Sequence, residues 1–166
     1  MAPSDLIKRY SLQPHPEGVY YTSTYQASML LSQQDLPSVF KGDRPVSSAI
    51  YYLLEKGDFS SFHRIASDEC WHFYSGDALE VIEIDKNGNE IKTKLGGDTS
   101  HGECFQYTVK AGHWFGSRVY PGGTYSLVGC TVSPGFDFRD FEMAKRDALL
   151  SAYPSLSSII KELTRA

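Results

Sequence analysis

Three of the five histidines, His63, His72 and His113, stand in apolar, strand-like stretches, and a carboxylate, Glu69, lies between the first two. Imidazole titrates near neutrality, so a histidine in a pocket acts as a general base with little perturbation. Imidazole and carboxylate together also ligate Zn, Mn, Fe or Ni. His15 and His101 occupy polar, turn-like contexts without a spacing relation and stay outside the candidate set. Strand alternation sorts the others. Glu69, Trp71 and Phe73 share one face of their segment, and Cys70, His72 and Tyr74 share the opposite one. Glu69 and His72 therefore face the same way only across a bulge. His113 and Phe115 share a face of theirs. Trp71 and His72 are candidate ligand contacts, since aromatic-lined mouths hold small molecules.

The elements that must carry these residues are mostly strands. Ser4-Asp5 ahead of Leu6, Ile7 and Tyr10 reads as a capped short helix, and Pro14 to Gly18 as a turn. Val19–Tyr25 has strand composition. Further strands are expected over 48–54, 59–65, 69–74, 79–84, 90–95, 105–109, 113–120 and 125–132. Asn87-Gly88, between two alternating runs, is a strong hairpin signal. Short strands at this spacing mean a sandwich or barrel. Beyond Pro134-Gly135 the period becomes helical, with Phe141, Ala144, Ala148 and Leu149 on one face and Leu156, Ile159, Ile160 and Leu163 on another. Asp137, Asp140 and Glu142 then fall at the start of that helix, where its dipole favours negative charge.

The chain is 166 residues long, the size of one domain, with 41% hydrophobic and 22% charged residues. Lys and Arg number 16 against 20 Asp and Glu, a net charge of −4, which argues against a nucleic-acid binder. No apolar run approaches the roughly 20 residues of a membrane span. Met1 to Asp5 lacks a basic and then apolar leader, so a cytoplasmic protein is expected. Cys70, Cys104 and Cys130 form no CxxC pair and are expected to be buried thiols.

Two blocks carry a resemblance. In residues 63–76, Glu69 and Gly76 have the E-x6-G spacing of the first cupin motif. Val109 to Phe115 resembles the P-x-G turn of the second, with Lys110 in place of the proline. Together with His15-Pro16-Glu17-Gly18, Ser67 to His72 and Leu127 to Phe138, they make the chain similar to a small family of single-domain cupins of largely unassigned activity. That family is similar in fold to the sugar-nucleotide epimerases of deoxysugar synthesis. Where it usually reads Gly-Gly and then Arg-Glu-Thr, this chain has Gly18-Val19 and Thr22-Ser23-Thr24.

The resemblance implies a mainly β fold: one cupin jelly-roll barrel over about residues 15–134, with C-terminal helices over about 138–164. It implies a small sugar or nucleotide-sugar ligand and metal-independent isomerase or epimerase chemistry. His63 is then the base, Glu69 its partner, and Tyr52 or Tyr125 the proton donor, with Trp71, His72, His113 and Phe115 contacting ligand. The usual metal-ligand positions fall on Phe62, Arg64 and Phe115, so no cofactor is expected. One inserted residue recovers His63, leaving His63, Glu69 and His113 as the conceivable metal set. The alternatives are a non-catalytic ligand-binding cupin and a metal-dependent one with a degenerate site. A homodimer formed through the Val19–Tyr25 strands is also implied, while the charge balance and the lack of a long apolar run lead us to expect no nucleic-acid or membrane partner.

Overall fold

The computed structural model describes residues 2–15 and 19–165; the expected turn at Pro14 to Gly18 lies largely outside them. Helix α1 (Pro3–Tyr10) opens the chain. Ser4 and Asp5 sit inside its first turn rather than ahead of it, and Asp5 closes the cap from its third position. Ala2 takes the cap position, Pro3 supplies a preset helical φ, and Asp5 Oδ2 accepts from the Ala2 N–H at 3.2 Å.

The strands follow as β1 (Gln13–Pro14), β2 (Tyr20–Gln26), β3 (Leu30–Leu31), β4 (Arg44–Pro45), β5 (Ser48–Glu55), β6 (Phe59–Arg64) and β7 (Asp68–Gly76). Then come β8 (Leu79–Ile84), β9 (Glu90–Leu95), β10 (Gln106–Val109), β11 (Trp114–Val119), β12 (Tyr125–Ser133) and β13 (Glu142–Met143). The hairpin between β8 and β9 turns where expected. Asp85 Oδ1 accepts the N–H groups of Asn87 and Asn89 at 2.8 Å each, and Gly88 takes a φ of +83° that other residues resist.

All named pairings are antiparallel and build two facing sheets, ordered β1-β2-β5-β12-β7-β10 and β13-β6-β11-β8-β9, with β3 and β4 paired apart. This is the jelly roll the sequence led us to expect. The inner faces meet in a core that includes Tyr52, Leu54, Trp71, Val81, Phe115 and Val128. Outside the first sheet, Leu6 and Leu12 pack on Leu53 and Leu127. Outside the second, helices α2 (Arg146–Ala152) and α3 (Ser157–Glu162) cover Phe62, Ile82 and Ile84 with Leu149, Ile159 and Ile160.

The segment before α2 corrects the expected C-terminal helix. Residues 138–140 form a single 3-10 turn, and β13 adds to the edge of β6 by pairing Met143 with His63. Three acid–arginine contacts hold this shape in place of a helix dipole. The Asp137 carboxylate accepts the Arg139 N–H and its guanidinium, which holds its pKa down at about 2. Glu142 binds Arg64 Nε at 2.7 Å on the surface. Asp140 makes a two-pronged contact to Arg44, 2.7 Å at each prong, with the two side chains 4% and 0% exposed. Arg44 also donates to the carbonyls of Gly42 and Asp43 at 3.0 and 2.8 Å, so its charge is fully engaged.

Cys130 is buried as expected, while Cys70 and Cys104 are half-buried, and none is in a disulfide. Among the described residues no helix is long and apolar enough to cross a membrane.

Removing one partner of a buried pair strands the other charge, a loss of roughly 3–5 kcal/mol, whereas an exposed pair contributes about 1 kcal/mol or less. Asp140→Ala is therefore expected to lose roughly 3–5 kcal/mol in urea unfolding and Glu142→Ala no more than about 1 kcal/mol. Equal losses would contradict the clamp.

Candidate functional site

A cavity opens between the sheets. The second sheet contributes His63, and the first contributes Tyr21, Tyr52, Glu69 and Trp71; His15 and Phe136 complete the wall from connecting segments. Alternation explains the strand residues. In β12, Val128, Cys130 and Val132 face the core, and their partners across β5 and β7 put Tyr52, Trp71 and Glu69 on the same side. The volume is about 50 Å³. One water needs roughly 10–15 Å³, so the space takes three to five water-sized groups.

Six rings close a circuit around this space. His63 lies 4.1 Å from Phe115 and stacks on Phe141 at 5.2 Å and 27°. Phe115 meets Trp71 edge-on at 6.3 Å, and Trp71 meets Tyr52 at 5.6 Å and 90°. His15 bridges the rest, 6.1 Å from Tyr52 and 6.3 Å from Phe141. Edge-on pairs of this kind suit the charge distribution of aromatic rings.

His63 is 4% exposed, and its Nδ1 lies 2.8 Å from the Ser61 carbonyl oxygen. A carbonyl only accepts, so Nδ1 carries the proton and the neutral ring has its lone pair on Nε2. Trp71 is 1% exposed, and its indole N–H has no hydrogen-bond partner among the described residues. A buried donor left unpaired costs free energy until a ligand or water accepts from it.

Of the residues singled out in the sequence, Tyr52, His63, Glu69 and Trp71 share this cavity, and Phe115 packs on His63 behind it. Tyr125 is elsewhere. Odd-numbered positions of β12 face outward, and Tyr125 packs with Leu127 and Tyr51 beneath α1. His72 faces the outer side of β7, where its Nε2 is 3.0 Å from Thr131 Oγ1 and its Nδ1 accepts from Gln106 at 2.9 Å; burial lowers its pKa. His113 binds Glu83, 3.0 Å from Nδ1 to Oε1, and Glu83 also accepts from the Tyr107 hydroxyl. Burial, and then that bond, push the Tyr107 pKa up to about 12. His15, Tyr21, Phe136 and Phe141 were missed by sequence reasoning. The first lies in the His-Pro-Glu-Gly block and Phe136 in the block ending at Phe138, and those blocks were the available signal.

The model of the cupin-superfamily family DUF985 matches residues 4–144. The chain belongs to this cupin family. A protein from Shewanella oneidensis, known from its crystal structure, is 39% identical over 99% of this chain and 98% of its own, with a TM-score of 0.88. A hypothetical protein from Leishmania major is 33% identical over the whole of both chains, with a TM-score of 0.90. A cupin 2 domain-containing protein from Halorhodospira halophila, 12% identical over 93% of this chain and 88% of that one, has a TM-score of 0.55 and speaks to the fold alone. A search of curated proteins returns no match.

The side chains of this cupin do not assemble the metal-ligand set usual for the superfamily. Phe62 and Arg64 face outward, one into the α2–α3 packing and the other over Trp114 at 4.4 Å. Phe115 fills the position of the second-motif ligand with a hydrocarbon ring, and His113 is turned onto Glu83. Among the described residues, no three His, Cys, Asp or Glu side chains come together around a point a metal could occupy. The conceivable set of His63, Glu69 and His113 is thus not gathered in one place. Untagged protein purified without chelator or added metal is expected to carry far less than one equivalent of transition metal by elemental mass spectrometry. Close to one equivalent per chain would contradict this reading of the donors.

Proposed function

We propose that this cupin is a metal-independent isomerase or epimerase that takes the reacting end of a small, sugar-like carbonyl compound into the aromatic circuit. The observation that carries the reading is the Ser61 carbonyl holding His63 Nδ1–H, in a cavity that Glu69 and Tyr52 also line. In this reading His63 Nε2 removes the proton on the carbon next to the carbonyl, and the C–H electron pair moves onto the carbonyl oxygen. The indole N–H of Trp71, unpaired in the free cavity, donates to the oxygen as charge builds there. Glu69, buried in the same wall, stabilises the imidazolium that forms. Tyr52 comes from the opposite sheet, so its hydroxyl delivers a proton to the far face of the carbon and inverts it. Solvent then carries the proton from His63 back to Tyr52.

Isotope exchange reads this chemistry before any product is known. A panel of pentoses, hexoses and sugar phosphates in D2O, followed by NMR, is expected to contain a compound that gains deuterium next to its carbonyl. His63→Ala is expected to slow that exchange by roughly 10²–10⁴-fold while the circular dichroism spectrum stays unchanged. Binding without exchange, or a His63→Ala protein as fast as the parent, would sink the isomerase reading.

A further inference from the structure

The cavity around His63 has room for only the reacting end of a ligand, and its wall is shared with a neighbouring hollow. Ile65, which lines the cavity, and Phe141, which stacks on His63, also form the wall of a second and more open hollow of about 520 Å³. Arg64, Lys86 and Arg139 line that hollow with two carboxylates, Asp140 and Glu142. Both carboxylates are already taken. Asp140 is gripped by Arg44 from beneath, and Glu142 by Arg64; Arg139 is in turn held by Asp137. Lys86 is the cation left over, exposed and with no ion-pair partner among the described residues. The hollow therefore keeps a positive excess beside Ile65 and Phe141, the apolar residues that separate it from His63.

We infer that this hollow receives an anionic group, phosphate or carboxylate, carried by the same ligand whose reacting end lies beside His63. The inference rests on the ligand reading above and narrows it to anionic substrates. Lys86 supplies a mobile ammonium donor, and Arg64 and Arg139 supply guanidinium charge that their carboxylates hold in place. A neutral sugar accepts hydrogen bonds from these groups but gains no charge pairing.

The test titrates the 15N-labelled chain with inorganic phosphate and, separately, with acetate at fixed ionic strength. Saturable shifts are expected at the amides of Ile65, Ala66, Lys86, Gly112 and Phe141, with a dissociation constant in the millimolar range. Lys86→Glu, a surface change, is expected to weaken binding by about tenfold or more, with the spectrum elsewhere unchanged. His63→Ala is expected to leave it within about twofold, so this site stands or falls apart from the proton chemistry. Tighter binding of phosphate assigns a phosphate-bearing ligand, and tighter binding of acetate a carboxylate. No saturable shift with either anion, or equal affinity in Lys86→Glu, would overturn the proposal.

Discussion

The hydrogen bond from His63 Nδ1 to the Ser61 carbonyl is the constraint on which the rest of the site depends. Both atoms belong to β6, so the strand itself fixes which nitrogen is basic and which way the ring faces. The rings of Phe115 and Phe141 then hold the imidazole from two sides. Phe115 has a second consequence, since it occupies the place where a metallocupin would offer its second-motif ligand. One aromatic side chain thus packs His63 and takes away a ligand. The cavity is poorly built for coordination, and under the proposed function it serves proton transfer.

Phe141 and Phe136 depend on a different interaction. Their segment carries only a 3-10 turn and the two-residue β13, so backbone pairing alone cannot place it. The buried Arg44–Asp140 contact ties it to β4, and the β13–β6 pairing ties it to the strand that carries His63. An ion pair this deep is costly to form, and replacing it with apolar groups is often neutral or better. What it supplies here is position. It holds the aromatic lining of the cavity on one side and the polar rim of the neighbouring hollow on the other.

Much of this was legible in the sequence, for a physical reason. A strand with one buried face writes its period into the residues, so the alternation around Trp71 and the turn at Asn87-Gly88 marked the sheets. The same alternation placed Glu69 with Trp71 and apart from His72, as the structure has them. It also bore on Tyr125, which lies out of phase with Val128, Cys130 and Val132 and so faces α1. Apart from Tyr21, which lies on β2, the residues that stayed hidden sit on segments without a period. His15 lies in a connection, and Phe136 and Phe141 reach the cavity through side-chain contacts made far along the chain. Apolar residues near 141 fit a helix pattern equally well. The Arg44–Asp140 contact, across 96 positions of sequence, and the pairing of β13 with β6 decide against it.

Under the proposed function His63 is a metal-free base with its lone pair on Nε2. A long-range 1H–15N NMR spectrum of the imidazole rings, taken at slightly alkaline pH, reads it directly. A protonated Nδ1 and an unprotonated Nε2 are expected for His63, whose signals are identified by their loss in His63→Ala. A proton on Nε2 instead would contradict it, because the nitrogen aimed at the ligand would then have no lone pair to offer.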